Sequence, residues 1–221
     1  MKIKKFNSKK TFIIAEIGNN HEGNYLLAKR LIKLAARAGA DAVKFQTYKT
    51  SFFINKVEKK RFKKLKSFEL SFGQFKSLKN FANKLGLYFI STPFDLESAY
   101  FLSKNSDIIK IASSDNNFYK LIEIVLKSKK PIIISTGLTN IAEIKKIVLF
   151  SKKILKNKFK EHFALLHCVS AYPVEAKYAN LNSIKYLKEK FSCTIGYSDH
   201  TIGNEASLVA VSLGAQIIEK H

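Results

Sequence analysis

The chain alternates between two kinds of hydrophobic pattern. Short, nearly uninterrupted apolar or β-branched runs occur at 11–17 (TFIIAEI), 41–46 (DAVKFQ), 86–92 (GLYFIST), 107–113 (DIIKIAS), 131–137 (PIIISTG), 163–169 (FALLHCV), 193–198 (CTIGYS) and 215–221 (AQIIEKH). Runs of this kind read as strands buried on both faces. Between them, apolar residues recur with helical period. Helices are predicted over 24–38, 71–85, 95–104, 117–128, 139–156, 180–190 and 203–213. Strict alternation of strand and helix predicts parallel strands joined by helical crossovers. Eight such units predict an α/β fold, a (β/α)8 TIM-type barrel forming a single domain over 1–221. An open doubly wound sheet is the alternative, but Ile17-Gly18-Asn19-Asn20-His21 is not the glycine-rich turn that would accompany it. The sequence stops at the eighth strand, and its 221 residues are short for this fold. The expectation is a form truncated after strand eight, without the last barrel helix.

The longest connection, 47–70, carries the basic run KVEKKRFKKLK at 56–66. It reads either as a lid or substrate loop or as a lysine-rich surface helix.

Composition narrows the class. Hydrophobic residues make up 46% and charged residues 25%, which suits a soluble globular protein rather than a disordered one. No apolar run approaches the length of a membrane span. The basic N-terminus, MKIKKFNSKK, is followed only by TFIIA before Glu16, too short for a secretory signal. Two cysteines cannot make a disulfide framework, so a cytoplasmic location is the default. A net charge of +22 raises the question of nucleic acid. The lysines fall on the outer faces of amphipathic segments such as LAKRLIKLAARAG, so we read them as solvated faces with a general attraction for anions.

Chemistry in a barrel gathers at the C-terminal ends of the strands, and polar residues recur there. Strand one ends at Glu16, strand two carries Lys44 and Gln46, and strand three ends in Ser91, Thr92 and Asp95. Strand four carries Lys110 and ends at Ser113, Ser114 and Asp115; strand five ends in Ser135 and Thr136. Strand six ends in His167, Cys168 and Ser170, followed by Tyr172; strand seven ends in Ser198, Asp199 and His200, and strand eight in Glu219 and His221. Single polar residues at such places are commonly helix caps, and Ser91, Thr136 and Asp199 fit that role. Lysines inside apolar strands are different, because a buried cation needs an anion. A carboxylate of the same chain would serve. So would a ligand carrying phosphate and carboxylate, held by Lys44 and Lys110 with the hydroxyls of Thr92, Ser113, Ser135 and Ser198; we favour the ligand. His200 and His221 end neighbouring strands. They suit a divalent metal, or a structural or acid–base role. Glu219 shares the face of His221 and could orient or deprotonate a water.

In order, AEIGNNHEG, VKFQTY, STPFDLES, KIAS, ISTG, LHC with YP, GYSDHT and IEKH fall one per strand. Together they closely resemble the N-acetylneuraminate (sialic acid) synthase family, including legionaminic and pseudaminic acid synthases. The resemblance runs from about Phe12 to His221. It implies a barrel followed by a small antifreeze-like domain, domain-swapped homodimers, and condensation of phosphoenolpyruvate with an N-acylated amino sugar, releasing phosphate. It implies that Lys44, Thr92, Lys110, Ser113, Ser135 and Ser198 hold phosphoenolpyruvate. His200 and His221 would bind the metal, usually manganese, with magnesium or cobalt as alternatives. Glu16 and Glu219 would be the acid–base pair, Gln46, Asp115 and Tyr172 would lie on the sugar side, and Ser170 would also face substrate. The sequence has KIASSD where the family usually has KIGSGE, so Asp115 replaces a longer glutamate.

Overall fold

The computed structural model describes residues 10–221. The N-terminal basic run up to residue 9 lies outside them. Eight parallel strands close into a barrel in chain order: β1 (Phe12–Gly18), β2 (Ala42–Thr47), β3 (Tyr88–Pro93), β4 (Ile108–Ile111), β5 (Ile132–Ser135), β6 (Phe163–Cys168), β7 (Thr194–Asp199) and β8 (Ile217–Lys220). The β8–β1 pairing closes the ring, with Ile14 opposite Glu219. The expected barrel and the order of its strands are therefore present.

Ten helices in the described residues connect or flank the strands: α1 (Tyr25–Arg37), α2 (Thr50–Phe53), α3 (Lys59–Phe68), α4 (Phe72–Lys84), α5 (Leu96–Asn105), α6 (Tyr119–Lys127), α7 (Ile141–Leu155), α8 (Phe159–His162), α9 (Asn182–Lys190) and α10 (Glu205–Ser212). Several start where side chains satisfy free backbone N–H groups. Asn24, Asp95 and Asn140 accept from Leu27, Ser98 and Glu143, and Ser71 with Gln74 forms a capping box.

Inward and outward residues of the strands build separate cores. Ile14, Ala42, Ile90, Ile108, Ile133, Leu166 and Ile217 fill the inside of the barrel. Outward residues such as Val43, Phe45, Ile109, Ile134 and Leu165 pack under the helices. Coverage is thinnest around the β8–β1 pairing. Ile13 and Ala15 are half-buried there, and α10, which packs on β7 and β8, leaves Leu208 and Val209 exposed.

The connection at 47–70 is not a structureless loop. It holds α2 and α3, and α3 buries no residue, so its lysines form a surface helix. The segment is nevertheless tied down. Glu69 accepts from the N–H and hydroxyl of Thr50 (2.9 and 2.7 Å) and from Lys66 (3.1 Å). The Tyr48 hydroxyl donates to the Leu65 carbonyl at 3.1 Å.

Candidate active site

Two residues above the apolar floor, the inward positions become polar. Alternation along a strand keeps residues i and i+2 on one face, so Lys44 stands above Ala42, Lys110 above Ile108, Ser198 above Gly196 and Glu219 above Ile217. Lys44, Lys110 and Glu219 are each at least 95% buried. Their charges are matched inside the chain. Lys44 forms a close ion pair with Glu16 and lies 3.8 Å from Glu219. Lys110 Nζ donates to Glu219 Oε1 at 3.2 Å, and Ser198 Oγ donates to the same oxygen at 2.8 Å. The two lysines thus have carboxylate partners in the chain, the alternative to the ligand favoured from the sequence.

The same lysines also face open space. A cavity of about 240 Å³ is lined by Lys44, Gln46, Thr92, Lys110, Ser113, Ser135, Ser170, Tyr172, Ser198, His200, Glu219 and His221. Two of its hydroxyls, Thr92 Oγ1 and Ser135 Oγ, are buried and have no hydrogen-bond partner among the described residues. Buried hydroxyls without partners point to something absent that they would bind. Asp115 does not line this cavity. It sits in a 3-10 turn (Ser113–Asp115), accepts from Ser114 Oγ at 2.7 Å, and burial raises its pKa. Cys168 also lines the cavity.

The two carboxylates sit in unequal environments. Burial drives the pKa of Glu16 up, and the nearby Glu219 charge adds to this against the pull of Lys44. Burial also opposes ionisation of Glu219, but Lys110 and Lys44 override it and hold its carboxyl at about 2. Glu219 is therefore ionised at neutral pH, while Glu16 takes a proton more readily than an ordinary glutamate.

His200 and His221 do converge. Their rings lie 4.2 Å apart, nearly perpendicular. His200 Nδ1 bonds the Val169 carbonyl at 2.7 Å, and His221 Nδ1 bonds the Asp199 carbonyl at 3.1 Å. A carbonyl only accepts, so each Nδ1 carries the proton and each Nε2 keeps its lone pair. Burial lowers both pKa values, that of His221 to about 4, so both rings are neutral at pH 7. Neutral imidazoles anchored through one nitrogen to backbone are the usual state of metal-ligating histidines. Among the described residues, Glu16, Glu219 and His221 bring potential ligand atoms within 4.8 Å of one another, and His200 is outside this group. A divalent cation fits this donor set of neutral nitrogens and carboxylates. Tyr172 stacks on the His200 ring at 4.0 Å and covers it.

Other sequence candidates are structural. His167 bonds the Ala179 carbonyl at 2.8 Å, a partner invisible in the sequence. Asp199 accepts from Thr201 and Ser207 and pairs with Lys220 at 3.3 Å, ordering the turn that carries His200. Asn116 escaped sequence reading. It is buried and donates to the carbonyls of Ser135 (3.3 Å) and Gly137 (2.9 Å), roughly twenty residues further along the chain.

A parallel eight-stranded barrel with an acid–lysine layer and a histidine pair at one mouth is the class of molecule defined so far. The sequence profile of the NeuB family matches residues 31–221, and the chain belongs to that family. An uncharacterised protein of Methanocaldococcus jannaschii is 49% identical over 212 residues, covering 96% of this chain and 61% of that protein. The N,N'-diacetyllegionaminic acid synthase of Legionella pneumophila is 39% identical over 224 residues, covering 95% of this chain and 63% of the relative. The chain thus spans somewhat under two thirds of these relatives. Among solved structures, the N-acetylneuraminic acid (sialic acid) synthetase of Leptospira borgpetersenii, in complex with citrate, superposes with a TM-score of 0.89 at 41% identity, covering 96% of this chain and 73% of that one. No helix among the described residues is long and apolar enough to cross a membrane.

Proposed function

We propose that this chain is the barrel of a synthase that condenses phosphoenolpyruvate with an N-acylated amino sugar to form a nonulosonic acid, releasing phosphate. The observation that carries the reading is the mouth of the barrel. Two buried lysines, Glu219, two histidines and hydroxyls without partners among the described residues line one small cavity, and Glu16 pairs with Lys44 without lining the cavity itself. Citrate in the Leptospira relative is a small polycarboxylate, in keeping with an anion site.

Lys44 and Lys110 would take the phosphate and carboxylate of phosphoenolpyruvate, with Thr92, Ser113, Ser135 and Ser198 donating hydrogen bonds. The lysines would exchange part of their pairing with Glu16 and Glu219 for the ligand. Carbon 3 of the enol attacks the aldehyde carbon of the open-chain sugar. Water then adds to carbon 2, and the carbon–oxygen bond to phosphate breaks. His200 and His221 would hold a divalent cation through Nε2, beside Glu16 and Glu219: manganese first, magnesium or cobalt as alternatives. Such an ion would supply Lewis-acid polarisation of the aldehyde oxygen. Glu219, kept ionised by Lys110, suits the base that orients and deprotonates water, and Glu16, with its raised pKa, suits the proton donor. Gln46, Ser170 and Tyr172 line the cavity's remaining wall and would face the sugar. The Legionella relative's name makes a diacetylated amino sugar the first substrate to try. A homodimer of the full-length protein is part of the same reading.

The test is phosphate release from phosphoenolpyruvate with a panel of mono- and diacylated amino sugars, with and without manganese. Release that needs both a sugar and the metal supports the reading. Failure of the full-length protein to release phosphate with every sugar and metal would overturn it.

A further inference from the structure

The wall of the cavity formed by Ser113 and Ser135 is built by two residues outside the proposed catalytic set. The β5–α7 turn runs Ser135-Thr136-Gly137-Leu138, and Leu138 is held at φ +57°. A leucine in the left-handed region is strained and persists only where the surroundings dictate it. Asn116 supplies part of that restraint. Its side-chain amide, buried behind the turn, donates to the carbonyls of both Ser135 and Gly137 and so fixes the Ser135–Thr136 and Gly137–Leu138 peptides. Thr136 is tied from its other side, its N–H and hydroxyl donating to the Leu166 carbonyl at 2.9 and 3.1 Å.

Gly137 then touches two hydroxyls at once. Its N–H donates to Ser113 Oγ at 3.2 Å. That bond uses an acceptor site on Ser113 and leaves the hydroxyl proton free, on a residue that lines the cavity. A Cβ at Gly137 would stand 2.5 Å from Ser170 Oγ and 2.7 Å from Ser113 Oγ, too close for either to stay in place. The position therefore demands glycine for close approach rather than for its φ angle.

We infer that Asn116 and Gly137 are positioning residues that set the Ser113 and Ser135 hydroxyls for the anionic substrate. The inference rests on the phosphoenolpyruvate reading of the cavity. Neither residue touches the ligand. Asn116 holds the strand end that presents Ser135, and Gly137 orients Ser113 and leaves it room.

The experiment is calorimetric titration of the full-length protein and its Asn116→Ala, Gly137→Ala and Asn116→Gln variants with phosphoenolpyruvate, alongside thermal melts and steady-state phosphate release. Asn116→Ala and Gly137→Ala should each raise the Kd for phosphoenolpyruvate by about tenfold or more, the scale expected when binding groups are displaced by a fraction of an ångström. The loss should appear in the KM for phosphoenolpyruvate, with kcat and the KM for the sugar within about threefold of wild type. Asn116→Gln keeps the amide donors and should recover part of the affinity. Variants that melt lower yet bind phosphoenolpyruvate as tightly as wild type would overturn the inference and make the two residues merely structural. A wild-type protein that does not bind phosphoenolpyruvate would instead overturn the anion-site reading, and this inference with it. Gly137→Ala keeps the inference open to refutation if Asn116→Ala fails to fold: a folded Gly137→Ala protein that binds phosphoenolpyruvate as tightly as wild type would dismiss it.

Discussion

The floor and the mouth of the barrel are made by the same strands two residues apart, and they follow opposite rules. At floor level Ile14, Ala42, Ile90, Ile108, Ile133, Leu166 and Ile217 close the interior with apolar volume. Gly196 is there because nothing larger fits, since a Cβ would meet the Ile217 carbonyl at 2.4 Å. One step up the same columns, Glu16, Lys44, Thr92, Lys110, Ser135, Ser198 and Glu219 put charge and hydroxyls into a space almost as dry. A floor of this kind maximises burial and packing. The mouth accepts desolvation of four charges, an arrangement that replacement by apolar residues of similar size often makes no less stable. Stability is therefore expected to live in the floor and binding in the mouth.

The largest effect should come from breaking the mouth at Lys110. Lys110→Met is expected to weaken phosphoenolpyruvate binding by about 2–5 kcal/mol, the scale for removing one partner of a buried charge contact. Glu219 loses a buried partner but keeps Lys44 at 3.8 Å and the Ser198 hydroxyl, so global stability should fall, though by less than in a variant of the floor. Calorimetry and urea unfolding on the same variant measure both. The counterpart lies directly beneath it. Ile108→Ala is expected to cost about 2–5 kcal/mol of stability, as buried isoleucine truncations do, while the folded fraction keeps its affinity within about threefold. If the two variants exchanged these phenotypes, the division of labour would fail.

His200→Ala sharpens the mouth further. It is expected to lose manganese affinity and manganese-dependent phosphate release in the full-length protein, with the melting temperature within a few degrees of wild type. Wild-type metal binding in that variant would leave the metal to Glu16, Glu219 and His221, whose potential ligand atoms lie within 4.8 Å of one another.

The smallest effects are those of pH, and they have opposite signs for the two glutamates. Glu219 has a depressed pKa, so its stabilising contribution is present above the ordinary glutamate range and is lost as the pH falls towards about 2. The raised pKa of Glu16 acts the other way: its contribution is present at low pH and is lost as the pH rises through its folded value. Unfolding measured from pH 6 to pH 3 should show Glu219→Gln losing less stability than wild type and Glu16→Gln losing more.

The floor was far more legible in the sequence than the mouth. Strand boundaries such as Phe12–Gly18 and Thr194–Asp199 fall within a residue or two of the apolar runs, because parallel strands covered on both sides are apolar almost throughout. The helix Lys59–Phe68 left its run ambiguous, since a helix that buries nothing has no apolar stripe to read. Candidate residues of the mouth could be chosen because lysine within an apolar strand is costly, but their partners could not. Lys110 pairs with Glu219 across 109 positions of chain, and only closure of the ring brings the two together. Asn116 was hidden for a similar reason, since its partners are backbone carbonyls and carry no side-chain signature.

The most direct test of the division between floor and mouth is a crystal structure of this protein soaked with phosphoenolpyruvate. The account expects the ligand in the cavity at the mouth, within hydrogen-bond distance of Lys110 Nζ and of the Thr92 and Ser135 hydroxyls, which have no partner among the described residues, with the floor unmoved. An empty cavity at saturating ligand, with Lys44 and Lys110 still paired only to Glu16 and Glu219, would contradict it.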